Sequence, residues 1–304
     1  MTDVGVIVWL QSFRTPLLDL LGRLITQLGQ ENFYIVAIPV IYWCIDPIFG
    51  YRLANVSLFS LWLNSWLKFS FNTPRPASDR IVALVEQRDP AFPSGHAQGT
   101  TAFWGFTALY WRSWPLAAVA VVVVGLVSLS RLYLGVHYPV DLLGGAMAGL
   151  LVLGVGYGSI RVWPKTLATP VPALAGTFLA GLGIMAVHRD PGVSTIVGAL
   201  MGLGAGHILR EGLVPYTPRA SWWRQVIKVL LGVVVTLGLR VGLKANFPDL
   251  FAFNVLRYAV IGFVGTLVLP WAFVRLGLAP AGPGAGVGQG GDQRGAGRGM
   301  GDGG

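Results

Sequence analysis

Three short polar clusters interrupt an otherwise apolar chain. They read Lys68-(six residues)-Arg75-Pro76, then Pro93-Ser94-Gly95-His96, then Ser130-Arg131-(five residues)-His137-(three residues)-Asp141. Between them they hold three cations, two histidines and a carboxylate, in a protein of which only 12% of residues are charged. Ionisable groups beside apolar spans are costly to keep, and their default meaning is function. The residue types fit one chemistry. Cations and free amides would hold a phosphate, one histidine would attack it, and the other would protonate what leaves.

The local context of each cluster supports that reading. Pro139 suits the first turn of a helix, where a missing N–H costs nothing. His137 then falls just ahead of that helix and Asp141 within its first turn. The Asp141 carboxylate could accept a hydrogen bond from one imidazole nitrogen of His137 and leave the other as a nucleophile. Ser94 is a natural N-cap, Gly95 lets the backbone come close to a ligand, and His96 stands ready as a general acid. Amides at a helix N-terminus bind phosphate oxygens, and Lys68, Arg75 and Arg131 add charge for the equatorial oxygens. Taken one at a time, these residues read as helix caps, snorkelling side chains or topological anchors. Taken together they do not. Two histidines and an aspartate could bind zinc, but three cations at the same spot oppose a dication, so no metal and no cofactor is expected.

The elements that must position these groups are membrane helices. The 304 residues are 54% hydrophobic, the mean hydropathy is +0.63, and the apolar residues come in long runs. The stretch from Leu17 to Leu28, with Asp19, Arg23 and Gln27 among its leucines, reads as an amphipathic helix lying at the interface. Nine apolar stretches follow, near 32–46, 52–68, 96–112, 115–131, 139–160, 171–188, 193–209, 225–243 and 255–277. Asn64, Thr100 and Thr101 mark the second and third as helices facing a polar site rather than lipid. Lys68 closes the second span, His96 opens the third, Arg131 closes the fourth and His137 to Asp141 opens the fifth. Successive spans cross in opposite directions, so all three clusters converge on one side of the membrane.

The remaining composition narrows the function classes. A net charge of +9 arises from Lys and Arg scattered singly through loops, which suits topology and anionic head groups and gives no nucleic-acid stripe. A lone Cys44 excludes an internal disulfide and a cysteine-based zinc site. Gly145 and Gly149, and Gly198, Gly202 and Gly206, fall four apart, an interval that lets helix backbones approach closely. Packing within one chain is the first reading of these glycines, with a homodimer through them as the second. From about Ala279 the chain is almost entirely Gly, Ala and Pro with a few charges and reads as a disordered tail.

These motifs resemble the type 2 phosphatidic acid phosphatase (PAP2) family, whose three signature motifs are matched in order from roughly Leu17 to Gly149. The resemblance implies that His137 forms a phosphohistidine, Asp141 orients it, and His96 protonates the leaving group and then activates water. It assigns Lys68, Arg75, Ser94, Gly95 and Arg131 to the phosphate. The stretch from Leu28 to Tyr34, with Trp43, Asp46-Pro47 and the extra C-terminal helices, is similar to the sphingoid-base phosphate phosphatase branch. The expected protein is therefore all-α and polytopic. Residues 1–165 would form a catalytic membrane core, 166–278 four additional transmembrane helices, and 279–304 the tail. Its expected activity is metal-independent hydrolysis of a lipid phosphate or diphosphate. The same residues would also serve a lipid phosphotransferase or a non-catalytic phosphate-lipid transporter or scaffold. The expected setting is a bacterial cytoplasmic membrane with the catalytic face outside, where slightly fewer Lys and Arg remain once the phosphate ligands are set aside.

Overall fold

A computed structural model describes residues 4–166, 170–188 and 191–282, and among these the chain is helical with a single isolated bridge, between Tyr216 and Ala281. Two short N-terminal helices, α1 (Gly5–Gln11) and α2 (Pro16–Thr26), precede α3 (Glu31–Cys44), α4 (Pro47–Phe71), α5 (Gly95–Trp111), α6 (Trp114–Tyr133) and α7 (Pro139–Thr166). The second half holds α8 (Pro170–Val187), α9 (Pro191–Leu213), α10 (Trp222–Asn246) and α11 (Phe251–Phe263). The last of these runs through a π turn, Val264–Val268, into α12 (Leu269–Arg275).

All nine expected stretches are helical, but five are both long and apolar enough to cross a membrane alone: Trp114–Tyr133, Pro139–Ile160, Gly192–Leu213, Trp222–Asn246 and Phe251–Arg275. The chain is a polytopic helical membrane protein. The other four expected stretches, in α3, α4, α5 and α8, fall short of that standard by length or composition. Helix α3 has 14 residues, about 21 Å against about 30 Å of hydrocarbon. It stops there because Asp46 caps the next helix, accepting from the Ile48 and Phe49 amides at 2.8 and 2.9 Å with Pro47 in its first turn. Helix α4 is long enough at 25 residues, but it spends its inner face on polar side chains.

Helix α2 lies as its amphipathic pattern requires. Leu17, Leu20 and Leu24 are exposed, while Gly22 faces Tyr133 of α6 and the Tyr133 hydroxyl donates to Asp19 at 2.7 Å. The core between α4, α5 and α7 is built from Phe49, Leu53, Val56, Leu63, Phe103, Phe106 and Val152. The glycine repeats bring backbones together within the chain. Gly145 sits against the Ser94 carbonyl, and a Cβ at Gly149 would lie 2.6 Å from Thr101 of α5. Gly198 and Gly202 meet the Val255 and Ala259 carbonyls of α11. These contacts use up the faces on which the homodimer reading rested. Residues 279–282, which the composition assigned to the tail, are held in the fold. Leu278 and Ala279 are buried, and Thr217 and Gly282 donate to the Pro280 and Pro215 carbonyls at 2.9 and 2.8 Å. Residues 283–304, the rest of the expected tail, lie outside the described residues.

Candidate active site

Four helix ends deliver the three clusters to one place. Helix α4 ends just beyond Lys68 because Asn72 turns left-handed (φ 43°), and its amide donates to the Lys68 carbonyl at 2.9 Å. Helix α5 starts on Ser94, whose hydroxyl accepts from the Ala97 amide at 3.5 Å. Helix α6 ends after Arg131, and Gly135 (φ 73°) reverses the chain towards His137. A side chain at Gly135 would be strained by that φ and would meet the Val82 carbonyl at 2.7 Å. Helix α7 then opens at Pro139 with Asp141 in its first turn.

Direct contacts tie the clusters to one another. The Ser94 amide donates to the Asp141 carbonyl at 2.9 Å, joining the second cluster to the third. Arg75 Nη1 donates to the Val136 carbonyl at 2.7 Å, joining the first to the third. Asn64 of α4 donates to the Pro93 carbonyl at 3.2 Å and to Gln98 Oε1 at 2.9 Å, joining α4 to the second. A side chain at Gly95 would meet Asn64 Oδ1 at 2.9 Å, so the close approach this glycine permits is to α4.

His137 is buried. Its Nδ1 lies 3.4 Å from Asp141 Oδ2, a long contact, and the same oxygen accepts from the Tyr138 amide at 2.8 Å. With Nδ1–H directed at Asp141, Nε2 carries the lone pair and lies 3.2 Å from Arg75 Nη1. Burial holds the imidazole well below its ordinary pKa, and the charges of Arg131, Arg75 and Lys68 act in the same direction. His137 is therefore neutral at physiological pH, the form a nucleophile needs. His96 Nε2 and the Nε and Nη2 groups of Arg131 are buried without a hydrogen-bond partner, while Arg131 Nη1 donates to Thr26 at 3.1 Å. Buried unpaired donors of this kind are costly unless something accepts from them.

A cavity of about 410 Å³ opens between α3, α4 and α5, and His96, His137, Lys68, Arg75, Gly95 and Asn64 all line it. Tyr34 and Ser57, whose hydroxyls are buried and unpartnered, line it further in. Ser94, Asp141 and Arg131 stand outside that lining: Ser94 caps α5, Asp141 supports His137, and Arg131 acts on it by charge.

Asp89 is the site residue that sequence reasoning missed. Its carboxylate bridges two of the three cations, with Oδ2 at 2.9 Å from Lys68 Nζ and Oδ1 at 2.8 Å from Arg75 Nη2. Its carbonyl accepts from Arg75 Nε at 2.8 Å, and Lys68 donates also to the Pro90 carbonyl. Partial burial alone would raise the pKa of Asp89, but the hydrogen bonds and charges of Lys68 and Arg75 outweigh it and hold the carboxyl at about 2. The carboxylate is half-exposed at the cavity lip, so water and salt screen these pairs. The available signal was an acid near the end of a loop too long to be a mere connection. Thr100 and Thr101 are a correction in the other direction. Their hydroxyls bond back to the His96 and Ala97 carbonyls of their own helix, and they do not line the cavity.

Known proteins are similar to both halves of the chain. Residues 49–165 match the family model described as the PAP2 superfamily, and residues 194–281 match the one described as the PAP2 superfamily phosphatase transmembrane extension. The chain is 23% identical to sphingosine-1-phosphate phosphatase 1 of Rattus norvegicus, over 84% of this chain and 71% of that one. It is 37% identical to sphingosine-1-phosphate phosphatase 2 of Homo sapiens, over 43% of this chain and 35% of that one. Among solved structures, a transmembrane PAP2 type phosphatidylglycerolphosphate phosphatase from Bacillus subtilis aligns at 26% identity with a TM-score of 0.46. That alignment covers 52% of this chain and 84% of that one. The two family models run over both halves of the molecule, the first across the polar clusters and the second across α9 to α12. The chain belongs to the PAP2 superfamily and carries that superfamily's phosphatase transmembrane extension.

Proposed function

We propose that this PAP2-type lipid phosphatase hydrolyses a lipid phosphate monoester through a phosphohistidine on His137, without a metal. A sphingoid-base 1-phosphate is the first substrate to try, because the curated relatives are named for that activity. One observation carries the reading: a neutral buried histidine, backed by Asp141, and a second histidine with an unpartnered buried nitrogen line the same cationic cavity.

His137 Nε2 attacks phosphorus in line, the P–N bond forms, and the P–O bond to the lipid breaks. His96, protonated when the phosphate dianion is bound beside it, gives its proton to the departing alkoxide and then takes one from the water that attacks the phosphohistidine. Inorganic phosphate leaves and His137 returns to its starting form. Lys68 and Arg75 meet the negative oxygens in both steps, and Arg131 adds its charge from behind His137. Three cations supply the charge that a metal would otherwise bring, and they oppose the approach of a dication.

The test is phosphate release by the purified protein in detergent, with a chelator present, across a panel of a sphingoid-base 1-phosphate, a phosphatidic acid, phosphatidylglycerol phosphate and an isoprenoid diphosphate. The expected result is turnover of at least one monoester with the chelator present. Activity that appears only when a divalent metal is restored would overturn the mechanism.

A further inference from the structure

Asp89 has no part in the steps above, yet it holds two of the groups that perform them. Of the five N–H groups of a guanidinium, Arg75 has four engaged: with the Asp89 carbonyl, Asp89 Oδ1, the Val136 carbonyl and His137 Nε2. The last of these is the lone pair with which His137 would attack. Lys68 is similarly committed, to Asp89 Oδ2 and the Pro90 carbonyl. A phosphate that is to be held by Lys68 and Arg75 must therefore compete with a carboxylate for the same donors. The nucleophile has a free lone pair only once Arg75 turns from it.

We propose that Asp89 is a positioning residue that acts through Arg75. It competes with the substrate phosphate for Lys68 and Arg75, and it keeps Arg75 on His137 until a phosphate draws the guanidinium away. The loop is built to place it. The Ala91 and Phe92 amides donate to the Thr73 carbonyl and hydroxyl at 2.9 and 2.8 Å, closing the loop's base. The Leu84 amide donates to the Leu134 carbonyl at 3.0 Å and Gln11 donates to the Val82 carbonyl at 2.8 Å, pinning the loop's middle. The carboxylate itself is half-exposed at the lip, free to yield to a ligand that carries more charge. Its pKa of about 2 keeps it ionised throughout the physiological range, so the competition is always present.

This inference rests on the phosphate reading of the site, and its test does not need turnover. Binding of inorganic phosphate to the purified protein is measured by calorimetry for wild type and Asp89→Asn. Steady-state kinetics on the best monoester substrate run alongside. Asp89→Asn should bind phosphate about 5- to 20-fold more tightly and lower KM by a similar factor, with kcat within about 3-fold. If Asp89 only braced the two cations, the same variant would bind phosphate more weakly, and that result overturns the proposal. Unchanged binding does so too. A melting curve checks that the variant is folded, and if it is not, Asp89→Ser carries the same expectations. A protein that binds phosphate as foreseen but hydrolyses no lipid phosphate would sink the functional reading and leave the competition standing.

Discussion

Among the described residues, two regions bury a histidine beside an arginine, and they differ in their surroundings. In the first, His137 and His96 line a cavity of about 410 Å³, with Arg131 charged behind them. In the second, where the core meets the extension, His207 and Arg210 of α9 are buried among aromatic rings. The His207 ring stacks on Tyr51 at 4.0 Å, and its Nδ1 lies 3.1 Å from the Tyr42 hydroxyl, which donates to the Thr266 carbonyl at 3.0 Å. Arg210 lies over Tyr42 and Tyr216, at 5.8 and 5.3 Å from their centroids, and pairs with Glu211. Both regions leave a histidine and an arginine nitrogen without a partner. The difference is what lies next to those nitrogens. Ring faces cover the second group, each such contact contributing about 0.5–2 kcal/mol. An unpaired buried donor thus marks a site only where a cavity adjoins it, and the second cluster reads as the bolt between α3, α4 and α9.

Three substitutions would break or sharpen that contrast. The largest effect is expected at His96. His96→Ala should lower kcat by roughly 10²- to 10⁴-fold in a folded protein, the usual contribution of a general acid. It should spare the first step with a leaving group that needs no proton, seen as a burst of nitrophenol from a nitrophenyl phosphate before the slowed attack of water. An equal loss in the first step on both substrate types would remove His96 from that role. Next comes Asp141→Asn, which keeps the shape but weakens the hold on His137 Nδ1. A loss of about 10- to 100-fold in kcat is expected, as for other residues that orient a histidine through its second nitrogen. The smallest effect on catalysis belongs to His207→Leu. It should leave kcat/KM within about twofold while costing about 1–3 kcal/mol of stability through the lost Tyr42 hydrogen bond, read as a lower melting temperature. A tenfold loss of activity in a folded His207→Leu protein would mean that the second cluster takes part in catalysis.

The polar cluster was legible because its residue types are rare in such a chain and sit at helix ends that the sequence itself marks. Pro139 and Ser94 announce helix starts, and alternation of the spans then brings His96, Arg131 and His137 to one side. Asp89 was not legible. Its role depends on a loop fold closed by Thr73 and pinned to Leu134, and no local periodicity encodes contacts of that range. Thr100 and Thr101 misled for a related reason. A hydroxyl in a helix can satisfy itself on the preceding turn, so a polar letter in an apolar span need not face a polar space. Fewer helices than apolar stretches are long and apolar enough to cross alone, because α3 and α8 are apolar but short and α4 and α5 carry polar residues towards the cavity; the Asp46 cap that cuts α3 off weighs little in a hydropathy average.

The central claim is that phosphorus becomes bonded to His137 during turnover. Rapid quenching of the enzyme with a ³²P-labelled lipid phosphate tests it most directly. The account predicts a protein-bound label that is stable in alkali, lost in acid, mapped to the peptide containing His137 and absent from His137→Ala. Full turnover with no label on the protein at any quench time, or undiminished turnover by His137→Ala, would contradict it.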